Sequence, residues 1–196
     1  MTVAAPPPPA DPVTKAVDSL IHALTPERLG TGPLAELRRM EPATGLLPPA
    51  FWKLLIEHVP DDLRQGTEAE QAEAERAWAV IIHGMALMAP EPHRSGTSAG
   101  TVLAETGYSE PRFVRLLRAE GEGFAKEVQT ACRWLATKAE RINWRKFTFF
   151  LLSRLHPRFS SDDNRKNQTH HLARAYFSAP AKDNARTTPA QETAQP

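Results

Sequence analysis

Three arginines spaced by three residues are the first feature of this sequence that could do chemistry. They are Arg112, Arg115 and Arg118, and they follow Ser109, a residue type that begins helices. Residues three and four apart share a helical face, so the arginines point one way. The opposite face carries an apolar stripe of Phe113, Leu116 and Leu117. Guanidinium groups in such a stripe can neutralise phosphates, and the pattern therefore indicates a surface that lies along a nucleic-acid backbone.

More cations follow in the next segments. From Arg133 to Arg158 the sequence has seven basic residues and one acid, Glu140. The further candidates for phosphate contact are Lys126, Arg133, Lys138, Arg141, Arg145 and Lys146. Lys138 lies near the core edge of its predicted helix and is the weakest of them. The alternative is a solvated face held by local salt bridges, but the scarcity of acids in this segment argues against it.

Patterns typical of catalytic or metal sites are not found. The seven histidines form neither a His-Glu-x-x-His motif nor a zinc-ligand spacing. Cys132 falls on an apolar helix face and is interpreted as core. The loop at 95–98 could offer amides to a phosphate, although a plain linker is the simpler interpretation. Trp144 begins an aromatic-rich helix that is either core or covered by another subunit, with base stacking as an alternative. We expect no enzymatic activity, no cofactor and no metal.

The net charge of +1 hides an asymmetry along the 196 residues. Residues 1–60 carry a charge of −1, residues 61–94 carry −4, and residues 95–196 carry +6. A single cysteine allows no intramolecular disulfide, which fits a reducing compartment. The N-terminus lacks the charged and apolar regions of a signal peptide, and no apolar run has membrane-spanning length. These features predict a cytoplasmic protein.

Helix signals dominate the sequence, and strand signals are nearly absent. We predict an all-α fold of two small helical bundles with about eight to nine helices. The predicted bundles are an N-terminal one at 12–94 and a basic C-terminal one at 95–178, between disordered proline-containing tails at 1–11 and 179–196. The predicted helices cover 12–24, 33–40, 49–58, 67–88, 99–105, a segment capped by Ser109, 122–138, 144–155 and 163–177.

Residues 107–118 resemble the central motif of the CasB family, the small subunit of the type I-E CRISPR surveillance complex (Cascade). They read Gly-Tyr-Ser-Glu-Pro-Arg-Phe-Val-Arg-Leu-Leu-Arg, and the family motif runs roughly Ser-Glu-x-Arg-Phe-x-x-Leu-Leu. Further similar segments occur in the family's order: 34–39, 49–52, 133–135, 142–144 and 173–177. The similarity spans about Val13 to Phe177. It departs at Leu172, where the family usually has tryptophan, and at a basic loop at 160–167 that lies outside the pattern.

The resemblance implies a non-catalytic, all-α subunit that lies as two copies beside the repeated backbone subunits and the large subunit of Cascade. Its basic surface would help to hold the hybrid of guide RNA and target DNA and the displaced non-target strand, while base pairing supplies the specificity. Arg38 and Arg39 match the family's early motif, and Arg112 matches the central one. Arg115 and the cations beyond it depend on helical spacing instead.

Two other functions remain open at the level of sequence. The first is a helical protein–protein adaptor without nucleic-acid contact. It is distinguished from a nucleic-acid-binding subunit by whether the cations at 112–146 form one exposed stripe. The second is a transcription factor that uses the helix pair at 99–118. That function would require a strong preference for one duplex sequence, yet the second helix carries few of the Asn, Gln or Ser side chains that contact base edges.

Overall fold

The described part of the chain is almost entirely helical. A computed structural model describes residues 11–43 and 46–180. These residues form ten α-helices and two short 3-10 turns, and their β structure is limited to an isolated bridge between His93 and Ile142. The predicted all-α fold is therefore confirmed. The helices are α1 (Pro12–Ala23), α2 (Pro26–Leu29), α3 (Thr31–Arg39), α4 (Pro49–His58), α5 (Glu68–Met88), α6 (Ala99–Glu105), α7 (Glu110–Arg118), α8 (Gly121–Thr137), α9 (Trp144–Leu155) and α10 (Asp162–Phe177).

Two further predictions concern the tails of the chain and the boundary between the two bundles. The proposed tails fall largely on residues 1–10 and 181–196, which lie outside the described residues, as do residues 44 and 45. The predicted boundary between the bundles falls between α5 and α6 and stays a prediction. Among the described helices, none combines the length and apolar character that crossing a membrane requires.

Side-chain caps explain where the helices begin. Asp11 accepts the Thr14 amide at 3.3 Å and begins α1. Thr67 and Glu70 form a reciprocal capping box at α5, where the Thr67 amide donates to the Glu70 carboxylate at 2.8 Å. The Asn143 side chain accepts the Lys146 amide at 3.2 Å at the start of α9. Each of these starts agrees with the sequence prediction to within one residue.

Two elements differ from the prediction. The four-residue α2 is additional, and Gly30, with φ of 86°, then lets α3 begin at Thr31 rather than at Pro33. The predicted helix at 163–177 is confirmed to within one residue, but the description of 160–167 as a loop is wrong. Ser161 accepts the Asn164 amide at 3.4 Å and begins α10, so residues 162–167 are its first turns.

Helix α5 is the centre of the core. Every residue from Ala77 to Ala86 is buried, because α3, α4, α8 and α9 surround this half of the helix. Gly84 permits a close approach of α9, since a Cβ atom there would lie 2.7 Å from Cη2 of Trp144. Trp144 is thus part of the core, and its alternative role in base stacking is excluded by its complete burial.

Helices α6, α7 and α10 form the layer that positions the arginine motif. The rings of Phe113 on α7 and Tyr176 on α10 stack at 3.8 Å. The Tyr176 hydroxyl donates to the Tyr108 carbonyl at 2.5 Å, just before α7 begins. These contacts fix the rotation of α7 and hold its polar face toward solvent.

Three partly or fully buried histidines are bonded in ways that require a neutral ring. His83 contacts the Leu37 carbonyl through Nδ1 at 2.8 Å and the Gln129 amide through Nε2 at 2.8 Å. The other two are His93 and His156, which accept backbone amides of α9 and of the following 3-10 turn. Burial, the largest cause in each case, lowers the pKa of all three below the ordinary value of 6.5.

Stability is therefore expected to decrease on acidification. A histidine whose pKa is lower in the folded state than in the unfolded chain stabilises the fold fully above pH 6.5 and loses that contribution as the pH falls through the folded values. The melting temperature should hold between about pH 8 and 7 and fall between about pH 6.5 and 5, before most carboxylates titrate. His83→Gln should flatten this dependence, whereas His22→Gln, at an exposed position, should leave it unchanged. A melting temperature that is constant over this range would contradict the assignment.

Candidate nucleic-acid interface

The helix phasing of the arginine motif agrees with the prediction. Arg112, Arg115 and Arg118 are exposed on α7, while Phe113 and Leu116 on its other face are completely buried. Helix α7 ends at Arg118 because Ala119 adopts an extended conformation. The exposed side of α7 therefore presents three guanidinium groups on one short helix.

Trp134 of α8 joins this motif to the next helix. The Arg112 guanidinium lies over its ring at 5.9 Å, and the Lys138 ammonium lies over the same ring at 5.0 Å. The ring is fixed in turn, because its Nε1 donates to the Thr106 hydroxyl at 3.0 Å. Cation–π contacts hold both charges in place while leaving them without a neutralising acid. Lys138 thus belongs beside Arg112, although helical spacing had made it the weakest candidate.

Arg115 differs from its neighbours because it is paired. Its Nε donates to a Glu127 carboxylate oxygen at 2.7 Å, and Glu127 is mostly covered. The pair links α7 to α8 and reduces the charge that Arg115 offers to a ligand. Arg115 therefore links the two helices and is not a free cation.

The exposed face of α8 continues the surface. Lys126 and Arg133 lie two helical turns apart on it, with Thr130 and Thr137 between and beyond them. The buried residues of α8 occupy the opposite face, as its amphipathic pattern requires: Phe124, Val128, Ala131, Cys132 and Leu135. Lys126 and Arg133 have no carboxylate within ion-pair distance among the described residues.

Arg39 reaches the same face from the other end of the chain. It lies with Lys126, Gln129 and Arg133 around a recess of about 380 Å³ between the end of α3 and α8, here called the first recess. His83 lies beneath it and joins the two walls through Leu37 of α3 and Gln129 of α8. Tertiary packing thus gives a band of cations from Arg112 across α8 to Arg39, here called the α8 face. Its members are Arg39, Arg112, Lys126, Arg133 and Lys138.

Three predicted cations have structural partners outside this face. Arg145 makes a two-bonded pair with Asp18 of α1, at 2.6 and 2.9 Å, and the bond raises its pKa. Arg141 pairs with Glu91. Arg38 donates to the Ala86 carbonyl at 2.9 Å and caps the end of α5. These partners come from distant parts of the sequence. The scarcity of acids near Arg141 and Arg145 therefore could not reveal that both side chains form ion pairs.

Among the described residues, no contact joins Lys146 or Arg118 to the α8 face. Lys146 borders a separate cleft between α9 and α10, together with Phe150 and His171. Arg118 is exposed at the end of α7 and has no ion pair among the described residues. The structure therefore brings together five of the eleven predicted residues and separates the others by partner or by position. The binding role of each remains a prediction.

Sequence reasoning missed Trp134, although a signal was present. Lys138 follows Trp134 by four residues, which is the spacing at which helical side chains meet. Cys132 behaves as expected for core, because burial raises the pKa of its thiol to about 12. Among residues 11–43 and 46–180, no three His, Cys, Asp or Glu side chains are grouped closely enough to hold a metal ion.

The fold and this surface define a class, namely small all-helical proteins that present one exposed cationic face across neighbouring helices. The model of the family described as CRISPR-associated protein Cse2 matches residues 33–177. The chain therefore belongs to the Cse2 family of CRISPR-associated proteins, and this membership makes it a subunit of a CRISPR Cascade complex. The resemblance inferred from the motif at 107–118 is confirmed.

A solved structure supports the fold. The crystal structure of CasB from Thermobifida fusca superposes with a TM-score of 0.63 at 15% sequence identity, over 86% of this chain and 99% of that one. At this identity the likeness concerns the fold alone. No curated protein sequence matches the chain.

Proposed function

We propose that this protein is the non-catalytic small subunit of a type I-E Cascade complex and binds nucleic-acid backbone without sequence specificity. In this role it stabilises the hybrid of guide RNA and target DNA and the displaced non-target strand during antiviral defence in the cytoplasm. Its other partners are the repeated backbone subunits, the large subunit and a second copy of itself. Family membership supports the complex, and the α8 face supports the nucleic-acid contact.

The observation that carries the proposal is the absence of ion pairs at the cations of the α8 face among the described residues, although Glu41 and Glu122 also line the first recess. Its five cations come from α3, α7 and α8, or lie just after α8, and among the described residues none forms an ion pair. A solvated face would be expected to hold them in salt bridges, as the structure does for Arg115, Arg141 and Arg145. Unpaired cations spread over adjacent helices suit a chain of phosphates better than a single small anion.

The same surface favours binding that ignores sequence. Its cations are lysine and arginine side chains at the surface of packed helices, whereas base recognition needs side chains that reach base edges in a nucleic-acid groove. The paired cations Arg115, Arg141 and Arg145 then stabilise the fold, and binding depends mainly on the α8 face.

A protein–protein adaptor is the second candidate, and one observation favours it. On α4, Trp52 and Ile56 are one turn apart and are 37% and 65% exposed. An exposed apolar pair of this kind suits contact with another subunit. The two functions are compatible within a complex, but an adaptor alone would not bind nucleic acid.

Titration of single-stranded DNA and RNA separates these functions. We expect the logarithm of the association constant to fall linearly with the logarithm of salt concentration, with a slope of about −3.5 if the five cations each contact one phosphate. Oligothymidylate and a mixed sequence should bind within about twofold of each other, since phosphates carry no sequence information. Absence of salt-dependent binding would favour the adaptor. A strong preference for one duplex sequence would favour a transcription factor that uses 99–118.

A further inference from the structure

A second recess adjoins the first one and contains arginines that sequence analysis did not single out. It measures about 470 Å³ and lies between α5, the beginning of α8 and the beginning of α10. Both recesses are lined by Pro42, Ala43, Glu122 and Ala125, so they meet along one wall of α8. The two recesses therefore adjoin each other, and together they are here called the groove.

Three guanidinium groups converge in the second recess. Arg154 is held in its wall, since it donates to the Leu117 carbonyl at 3.0 Å and lies 4.8 Å above the Phe124 ring. Its pKa is lowered by burial first and by the nearby Arg165 charge second. Arg76 of α5 lines the same recess from the opposite side.

Arg154 is compensated by backbone carbonyls and an aromatic ring, whereas Arg76 and Arg165 form no ion pair among the described residues. Arg165 has an Nε that is shielded from solvent and forms no hydrogen bond. Glu73 and Glu122 also line the recess, yet among the described residues neither lies within ion-pair distance of an arginine. Bringing cations together without paired acids costs free energy, and an anion from outside the chain would offset that cost.

We propose that the groove is a continuous path for one nucleic-acid strand, in which Arg76 and Arg165 hold the phosphates beyond those bound at Arg39, Lys126 and Arg133. This inference rests on the proposed function and extends its binding surface. From Arg133 to Gly121, α8 rises about 18 Å, which corresponds to roughly five nucleotides of a single strand at about 3.4 Å each. The segment at 160–167 thereby gains a role through Arg165.

A strand path predicts that the second recess matters only when the strand is long enough to reach it. The double variant Arg76→Gln/Arg165→Gln is compared with the wild type on oligothymidylates of four and of twelve nucleotides. The longer strand should lose roughly tenfold in affinity and about 1.4 in salt slope, since two phosphate contacts are removed. The shorter strand should lose at most about twofold, because the first recess remains intact.

Lys166→Gln provides the matched control. Lys166 is exposed, follows Arg165 directly and does not line the recess, so its variant removes one charge without touching the path. It should bind both oligonucleotides as the wild type does. The strand path is wrong if the double variant keeps the full gain in affinity from four to twelve nucleotides. It is also wrong if Lys166→Gln loses as much affinity per removed charge as the double variant does. Neither result would contradict binding at the α8 face.

Two further outcomes are decisive. If an oligoglutamate peptide binds in an Arg165-dependent manner and the twelve-nucleotide strand is unaffected by the double variant, the second recess takes an acidic protein segment and the inference is overturned. If the wild type binds neither oligonucleotide, the proposed function itself fails, which is a different result from unchanged binding by the double variant.

Discussion

The triple variant Arg39→Gln/Lys126→Gln/Arg133→Gln is expected to bind single-stranded oligonucleotide roughly a hundredfold more weakly than the wild type at about 0.1 M salt. The three side chains surround the first recess and have no ion pair among the described residues. Each phosphate contact on a single strand contributes about 0.7 to the salt slope, so the slope should become shallower by about 2. Fluorescence anisotropy with a labelled oligothymidylate, repeated at several salt concentrations, measures both quantities.

The fold should survive these changes. All three side chains are exposed, and none makes a hydrogen bond or ion pair with another described residue through its charged group. Arg133 lies near His83 and contributes to lowering its pKa, so its removal should slightly favour protonation of that ring. The melting temperature near neutral pH is therefore expected to stay within about 2 °C of the wild-type value.

A second triple variant controls for the loss of charge. Lys15, Arg28 and Lys53 are exposed on α1, α2 and α4, away from the first recess. Changing them to glutamine alters the net charge by the same amount. This control should bind within about threefold of the wild type, because exposed charges beyond a Debye length are largely screened. Equal weakening by the two triple variants would mean that overall charge, and not the α8 face, drives binding.

Local sequence signals predicted the helices well and the partners of the cations poorly. The caps at Asp11, Thr67 and Asn143 depend on residues within three or four positions, and a linear sequence displays that information directly. The opposite faces of α7 follow from helical periodicity in the same way. Such features need no knowledge of tertiary structure.

The ion-pair partners of the cations could not be predicted from local sequence. The scarcity of acids from residue 133 to 158 suggested free cations, yet Arg145 binds Asp18 from 127 positions away and Arg141 binds Glu91. Conversely, Arg39 joins Lys126 and Arg133 only because α3 packs on α5 beside α8. A charge pattern therefore identifies cations, whereas tertiary packing decides which of them keep their charge available for a ligand.

The contact between α6 and α10 leads to the largest expected effect on stability. A Cβ atom at Gly100 would lie 2.4 Å from the Leu172 carbonyl oxygen and 2.9 Å from the Tyr176 amide nitrogen. Both are backbone atoms of α10, so no side-chain rotation can relieve the overlap. Gly100→Ala should therefore destabilise the protein by about 3 kcal/mol. That loss corresponds to a decrease of roughly 6–12 °C in melting temperature for a chain of this length.

Gly123→Ala on α8 is the matched control for helix propensity. A Cβ there would meet nothing within 4 Å, so the substitution should stabilise the protein by about 0.5 kcal/mol through the better helix propensity of alanine. The same chemical change thus has opposite effects on stability at the two sites, and differential scanning calorimetry of both variants measures the two effects.

Displacement of α10 by Gly100→Ala would also disturb the stack of Tyr176 on Phe113, which fixes the rotation of α7. Gly100→Ala should consequently weaken oligonucleotide binding through Arg112 even at temperatures where it remains folded. A Gly100→Ala protein as stable as the wild type would show that α6 and α10 do not pack this closely.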